Sequence, residues 1–147
     1  MFLIGSHYTR LISFSLWVIM ILIIAGCSLS TNYSGPPIDL ILENVNSTDE
    51  TVVLEVEGMT KVQEDDSYAT WKINATVVKS FKGKLTSGEN IEYFRTVETD
   101  LETMQQGSRH LVSFVWKGNH LIIPDVGYHF ESSLQLEKHL TAALQSP

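Results

Sequence analysis

One cysteine in 147 residues, Cys27, leaves no partner for an internal disulfide and no thiolate set for a structural zinc site. Basic side chains are scarce too: 10 Lys and Arg against 17 Asp and Glu give a formal net charge of −7, which argues against a basic face that neutralises nucleic-acid phosphates. The sequence has no Gly-x-Ser-x-Gly elbow, no phosphate-binding loop and no dinucleotide fingerprint, so it offers no motif for catalysis or for a cofactor. It has no internal repeat, and its length supports one ordinary domain. Long apolar runs are missing as well. The longest uncharged stretch of this kind, Leu11 to Ile24, is 14 residues, short of the roughly 20 that span hydrocarbon and suited to the core of an export signal.

What the chain does have is unevenly spread. A mean hydropathy of +0.05 and 44% hydrophobic residues are carried disproportionately by the first 26 residues, whose only charge is Arg10. The basic residue and the apolar run are followed by Ile24-Ala25-Gly26-Cys27, which resembles the lipobox of bacterial lipoproteins. The resemblance implies that Ile24, Ala25 and Gly26 are read by the lipoprotein signal peptidase. It also implies that Cys27 becomes the first residue of the mature chain, carrying a thioether-linked diacylglycerol and usually an N-acyl chain. Each buried methylene contributes about 0.8 kcal/mol, so two or three chains make a stable membrane anchor. Ser28 follows the cysteine in place of the aspartate that commonly retains such proteins in the inner membrane. In a cell with two membranes, the expected address is the outer one, facing the periplasm.

Removing the first 26 of 147 residues leaves 121, with 17 acidic and nine basic side chains, or −8. Three regions follow: the signal peptide at 1–26, the acylated cysteine and a polar, turn-rich tether at 27–37, and one domain at 38–147. Ile38 to Asn44 reads as a short helix or an irregular lead-in. Val52, Leu54 and Val56 alternate with Thr51, Glu55 and Glu57, the period of a half-buried strand ending at Gly58. Lys61 to Ser67 reads as a polar loop whose Glu64-Asp65-Asp66 lacks the spaced donors and glycine of a calcium loop. A second alternation from Tyr68 to Phe81 is far longer than the usual five or six residues, so that strand must bend. Asn90 to Val97 makes a third strand with Ile91, Tyr93 and Val97 on one face, and Glu98 to Gln106, with Leu101 and Met104 at helical spacing, a short helical turn or lid. Arg109 to Lys117 is a central strand buried on both faces. His120 to Ile123 is a fifth, ended by Pro124. Ser132 and Gln135 have capping-box spacing ahead of a helix striped by Leu136, Leu140, Ala143 and Leu144. The fold class is mainly β: a small five-stranded antiparallel, OB-like barrel with a C-terminal helix.

The strand ending in Gly58, the long strand followed by Phe81-Lys82-Gly83, and Gly107-Ser-Arg-His-Leu-Val-Ser-Phe114 together resemble the netrin-like module. That OB-fold barrel is shared with tissue inhibitors of metalloproteinases and with bacterial envelope proteins. The likeness spans roughly residues 50–123 and implies a protein-binding barrel. It does not carry over the inhibitors' mechanism, which needs a free N-terminal cysteine and clamping disulfides, whereas Cys27 would be acylated and has no partner. Three histidines, His110, His120 and His129, fall in or near the last strands, with His110 and His120 as candidate neighbours across a hairpin. They are the one candidate metal set, against the plainer assignment of polar rim, because no His-x-His or His-Glu-x-x-His spacing occurs. Trp71, Tyr93, Phe114 and Trp116 read as mostly core; Tyr68, Phe94, Tyr128 and Phe130 are the better candidates for exposed contact. The expectation is therefore a non-catalytic, lipid-anchored envelope module that binds or scaffolds a protein partner, with a histidine metal site as the alternative.

Overall fold

The computed structural model describes residues 33–99 and 104–146; the lipobox residues Ile24, Ala25, Gly26 and Cys27, and Leu101, lie outside the described residues. The elements are α1 (Ile38–Ser47), β1 (Glu50–Glu64), β2 (Tyr68–Lys82), β3 (Asn90–Glu98), β4 (Arg109–Lys117), β5 (His120–Ile122), a 3-10 turn (Val126–Tyr128), β6 (His129–Glu131) and α2 (Leu134–Gln145). The strands form one antiparallel sheet in the order β3-β2-β1-β4-β5, with β6 also on β4. No helix among the described residues is long and apolar enough to cross a membrane.

The mainly β fold with a terminal helix is present, but the five-stranded barrel is corrected in two respects. There are six strands, and the sheet stays open: β3 and β5 share no ladder, although their Cα atoms come within 8 Å. Pro124 explains both. It cannot donate to a ladder, so β5 stops after three residues, all of them paired with β4, and the chain returns to β4 only at His129.

β1 and β2 are 15 residues each, and their pairing is broken by register shifts, including one between Val56 and Gly58. Each shift adds twist and lets a long ribbon curl over its own concave face. Val52, Leu54 and Val56 meet Ile73, Ala75 and Val77 there, with Tyr93, Val112 and Phe114 completing this first core. The reverse face is covered by helices: Ile41 and Val45 of α1 and Leu136 and Leu140 of α2 pack on Val53 and Leu111. The start of β1 is thus buried on both faces, not half-buried, and Thr51 satisfies its hydroxyl under the helices against Ser113 at 3.0 Å. The expected loop at Lys61–Ser67 is mostly strand, because β1 runs on to Glu64 and only the turn at Asp65 remains, where Oδ1 accepts from the Ser67 and Tyr68 amides.

Helix α1 begins at Pro37, whose φ of −54° is already helical, and carries Asp39 where the dipole favours an anion. Its apolar residues Ile38, Ile41, Leu42 and Val45 fall on one stripe facing the second core. At its other end the Lys82 ammonium donates to the Val45, Asn46 and Thr48 carbonyls at 2.7, 3.3 and 2.6 Å. Next in sequence, Gly83 at φ +106° leaves the space occupied by the Glu50 carboxylate. That buried carboxylate accepts from the Lys84 and Leu85 amides and from Trp116 Nε1 at 2.8, 3.1 and 2.9 Å. The Phe81-Lys82-Gly83 motif is therefore a joint binding α1, β1, β2 and β4. For α2, Ser133 rather than Ser132 is the cap, accepting from Leu136 N at 3.1 Å, while Ser132 Oγ donates to Glu137. The final residues of the expected tether are packed: the Tyr33 ring lies 4.9 Å from that of His139 and joins the second core.

Candidate functional site

The opening between β3 and β5 is a concavity of about 720 Å³ lined mainly by apolar atoms. Strand alternation builds its walls. On β3, Ile91, Tyr93, Arg95 and Val97 turn to the first core while Phe94 and Thr96 turn outward, so the edge offers both Arg95 and Phe94 to the groove. Across the gap stand Lys117 and His120 at the β4–β5 hairpin, then Leu121, Ile122 and Ile123. Asp125 and Val126 close one end. Three apolar side chains here remain in water: Phe94 is 50% exposed, Ile122 37% and Val126 76%.

Behind Arg95 lies a polar cluster. His110 and His129 sit on paired strands with ring centroids 4.8 Å apart, and the Tyr93 hydroxyl is 3.4 Å from His129 Nε2. Ser108 Oγ is 2.8 Å from His110 Nε2 and 2.5 Å from the Gln105 carbonyl. A hydroxyl has one proton, and at 2.5 Å it is given to that carbonyl, which also accepts from the Ser108 amide at 3.0 Å. His110 must therefore be the donor to Ser108 through Nε2–H, leaving Nδ1 a bare acceptor, the buried atom that finds no hydrogen-bond partner. This assignment matters chemically. In a serine–base pair the imidazole accepts from the hydroxyl; here it donates, so Ser108 is not activated by His110.

Burial first, and then the Arg95 charge, hold His129 far below the ordinary imidazole range, down to about 2; the same two causes lower His110, partly offset by Glu131. Burial likewise raises the Tyr93 phenol and lowers Arg95. At neutral pH both imidazoles and the phenol are uncharged, and Arg95 is the one formal charge among these four groups.

Of the three histidines marked in the sequence, the structure brings two together. His120 is exposed and opposes Lys117 in the hairpin, whereas His110 faces Glu131 on β6, so the expected His110–His120 neighbourhood across a hairpin does not form. Among the described residues no three His, Cys, Asp or Glu side chains converge on a point where a metal ion would sit. Of the aromatics, Tyr93 and Phe114 are core as expected, and Tyr68 and Phe94 are exposed as expected. Trp116, read as core, is 39% exposed with its indole N–H spent on Glu50. Arg95 was not among the candidates. Its signal was available in Ile91-x-Tyr93-x-Arg95-x-Val97, where parity alone puts the arginine on the apolar face.

Fold and groove together describe a two-cored, open antiparallel β domain with one apolar cleft and one inward arginine. Comparison with known proteins finds no matching family model and no matching curated protein.

Proposed function

We propose that this chain is a lipid-anchored cell-envelope lipoprotein whose OB-like, netrin-like domain is a non-catalytic module that binds or scaffolds a protein partner. The observation that carries the binding reading is the cluster of water-exposed apolar side chains, Phe94, Ile122 and Val126, around a preformed groove. The anchoring reading rests on Ile24-Ala25-Gly26-Cys27 and the apolar run before it, with Ser28 favouring an outer-membrane address where there are two membranes. The netrin-like reading is supported by the long, curled β1–β2 pair and by the Lys82-Gly83 joint that follows it.

Two measurements test this. Crosslinking in intact cells followed by detergent solubilisation should recover a specific protein with the wild-type chain, and Phe94→Glu with Val126→Asp should reduce its recovery at least tenfold. Undiminished recovery from the double variant would remove the groove from the interface. Separately, Cys27→Ser should abolish acylation and leave uncleaved precursor in the membrane fraction; a variant that is processed normally refutes the lipobox.

A further inference from the structure

We propose that the groove between β3 and β5 is a binding site for a single-chain anionic amphiphile, an alkyl carboxylate, whose head pairs with Arg95 and whose chain lies along Leu121, Ile123 and Val126. This goes beyond the partner-binding reading and needs neither a protein partner nor Cys27.

Charge complementarity is the first argument. The ion pairs among the described residues use Lys61, Lys72, Lys79 and Arg109; Arg95, half-buried beside uncharged imidazoles, forms no ion pair and no side-chain hydrogen bond among the described residues. A partly desolvated guanidinium without a counter-ion favours any anion that can reach it, and its planar fork suits a carboxylate in particular. Lys117 adds a second cation on the opposite wall, and the single acidic residue of the groove, Asp125, is committed through Oδ1 to the Val126 amide at 2.6 Å.

Width is the second argument. A peptide strand inserted between two others separates them by about 9.5 Å, twice the inter-strand spacing. The Cα atoms of β3 and β5 already come within 8 Å, too close for a third backbone to be inserted between them. The volume of about 720 Å³ lies in the range of small-ligand sites, roughly 300–1,000 Å³.

The test uses the full chain in lipid nanodiscs, titrated with octanoate carrying a 13C carboxyl label, with empty nanodiscs subtracting membrane partition. Saturable binding of one octanoate per chain is expected. Arg95→Gln should weaken it at least tenfold. Val126→Glu, on an exposed turn where misfolding is not at issue, should weaken it several-fold by repulsion. Octanol should bind more weakly than octanoate and be indifferent to Arg95→Gln, and inorganic phosphate at the octanoate concentration should not displace it. The proposal is overturned by the absence of saturable binding above empty nanodiscs, by wild-type affinity in both variants, or by displacement with phosphate, which would make this a bare anion site. A groove that ignores octanoate but is shielded in a crosslinked complex belongs to a protein, and that also overturns it.

Discussion

Single residues hold this molecule together at places where the sequence shows only punctuation. Glu50 is an acidic residue with its carboxylate under the surface, and it is tolerated because two backbone amides and an indole N–H replace its water. Gly83 is what makes the arrangement fit. A methyl there would sit 1.9 Å from Glu50 Oε2, on a backbone at φ +106° that side chains avoid. Gly83→Ala should therefore cost about 3 kcal/mol or more, read as a lowered urea midpoint, whereas alanine at the exposed and uncrowded Gly88 should cost only about 1 kcal/mol for its positive φ. His129 makes a prediction of another kind. Its folded pKa, about 2, is depressed below the ordinary 6.5, so beneath pH 6.5 the unfolded chain binds a proton that the folded chain refuses. Its neutral form supports the fold fully above pH 6.5, and that support is lost as pH falls, at up to about 1.4 kcal/mol per pH unit, or about 2–3 kcal/mol by pH 4.5. His129→Gln should flatten the stability profile between pH 4.5 and 7; an unchanged slope would mean that other groups govern it.

At the level of elements, the sequence was most legible where a strand was apolar throughout and bounded by turn residues. β4 is bounded at Arg109 and Lys117 as its composition indicated, because a strand buried on both faces is apolar throughout and Gly107 and Gly118 punctuate it. α1 resolves the ambiguity of the Ile38 lead-in in favour of a helix, extended to Ser47 by Lys82, whose ammonium reaches the Asn46 carbonyl 36 positions earlier, which no local pattern reveals. Two features were hidden by their kind. β6 is three residues, His129, Phe130 and Glu131, too few to show a period, and it exists through pairing with His110, Leu111 and Val112. The last part of β1, from Lys61 to Glu64, is exposed on both faces with Val62 its one apolar residue and looks like loop; cross-strand pairing with residues 69–71 makes it strand. In the candidate site, the exposed Phe94 was legible, whereas of the three histidines only His110 and His129 come together and His120 stands apart. The groove itself was not, since it depends on how closely β3 approaches β5, and Arg95 was overlooked although its parity was plain.

For the molecule as a whole, the architecture is an asymmetric sandwich: the sheet's concave face closes on its own curl, its convex face on two helices, and the seam left by the short β5 supplies the cleft. β1 links the whole, pairing with β2 along most of its length but with β4 only from Glu50 to Glu55. Val52, Val53 and Leu54 are wholly buried, whereas every residue from Thr60 to Glu64 is exposed. One continuous strand thus belongs to two levels of local stability. Amide hydrogen exchange should be slowest at Val52–Leu54, where opening requires global unfolding, and faster by several orders of magnitude at Lys61–Gln63; uniform protection along the strand would contradict this. The outer ribbon formed by the end of β1 and the start of β2 would then breathe while the rest of the fold stays shut, making its turn at Asp65 the place where a protease cuts first.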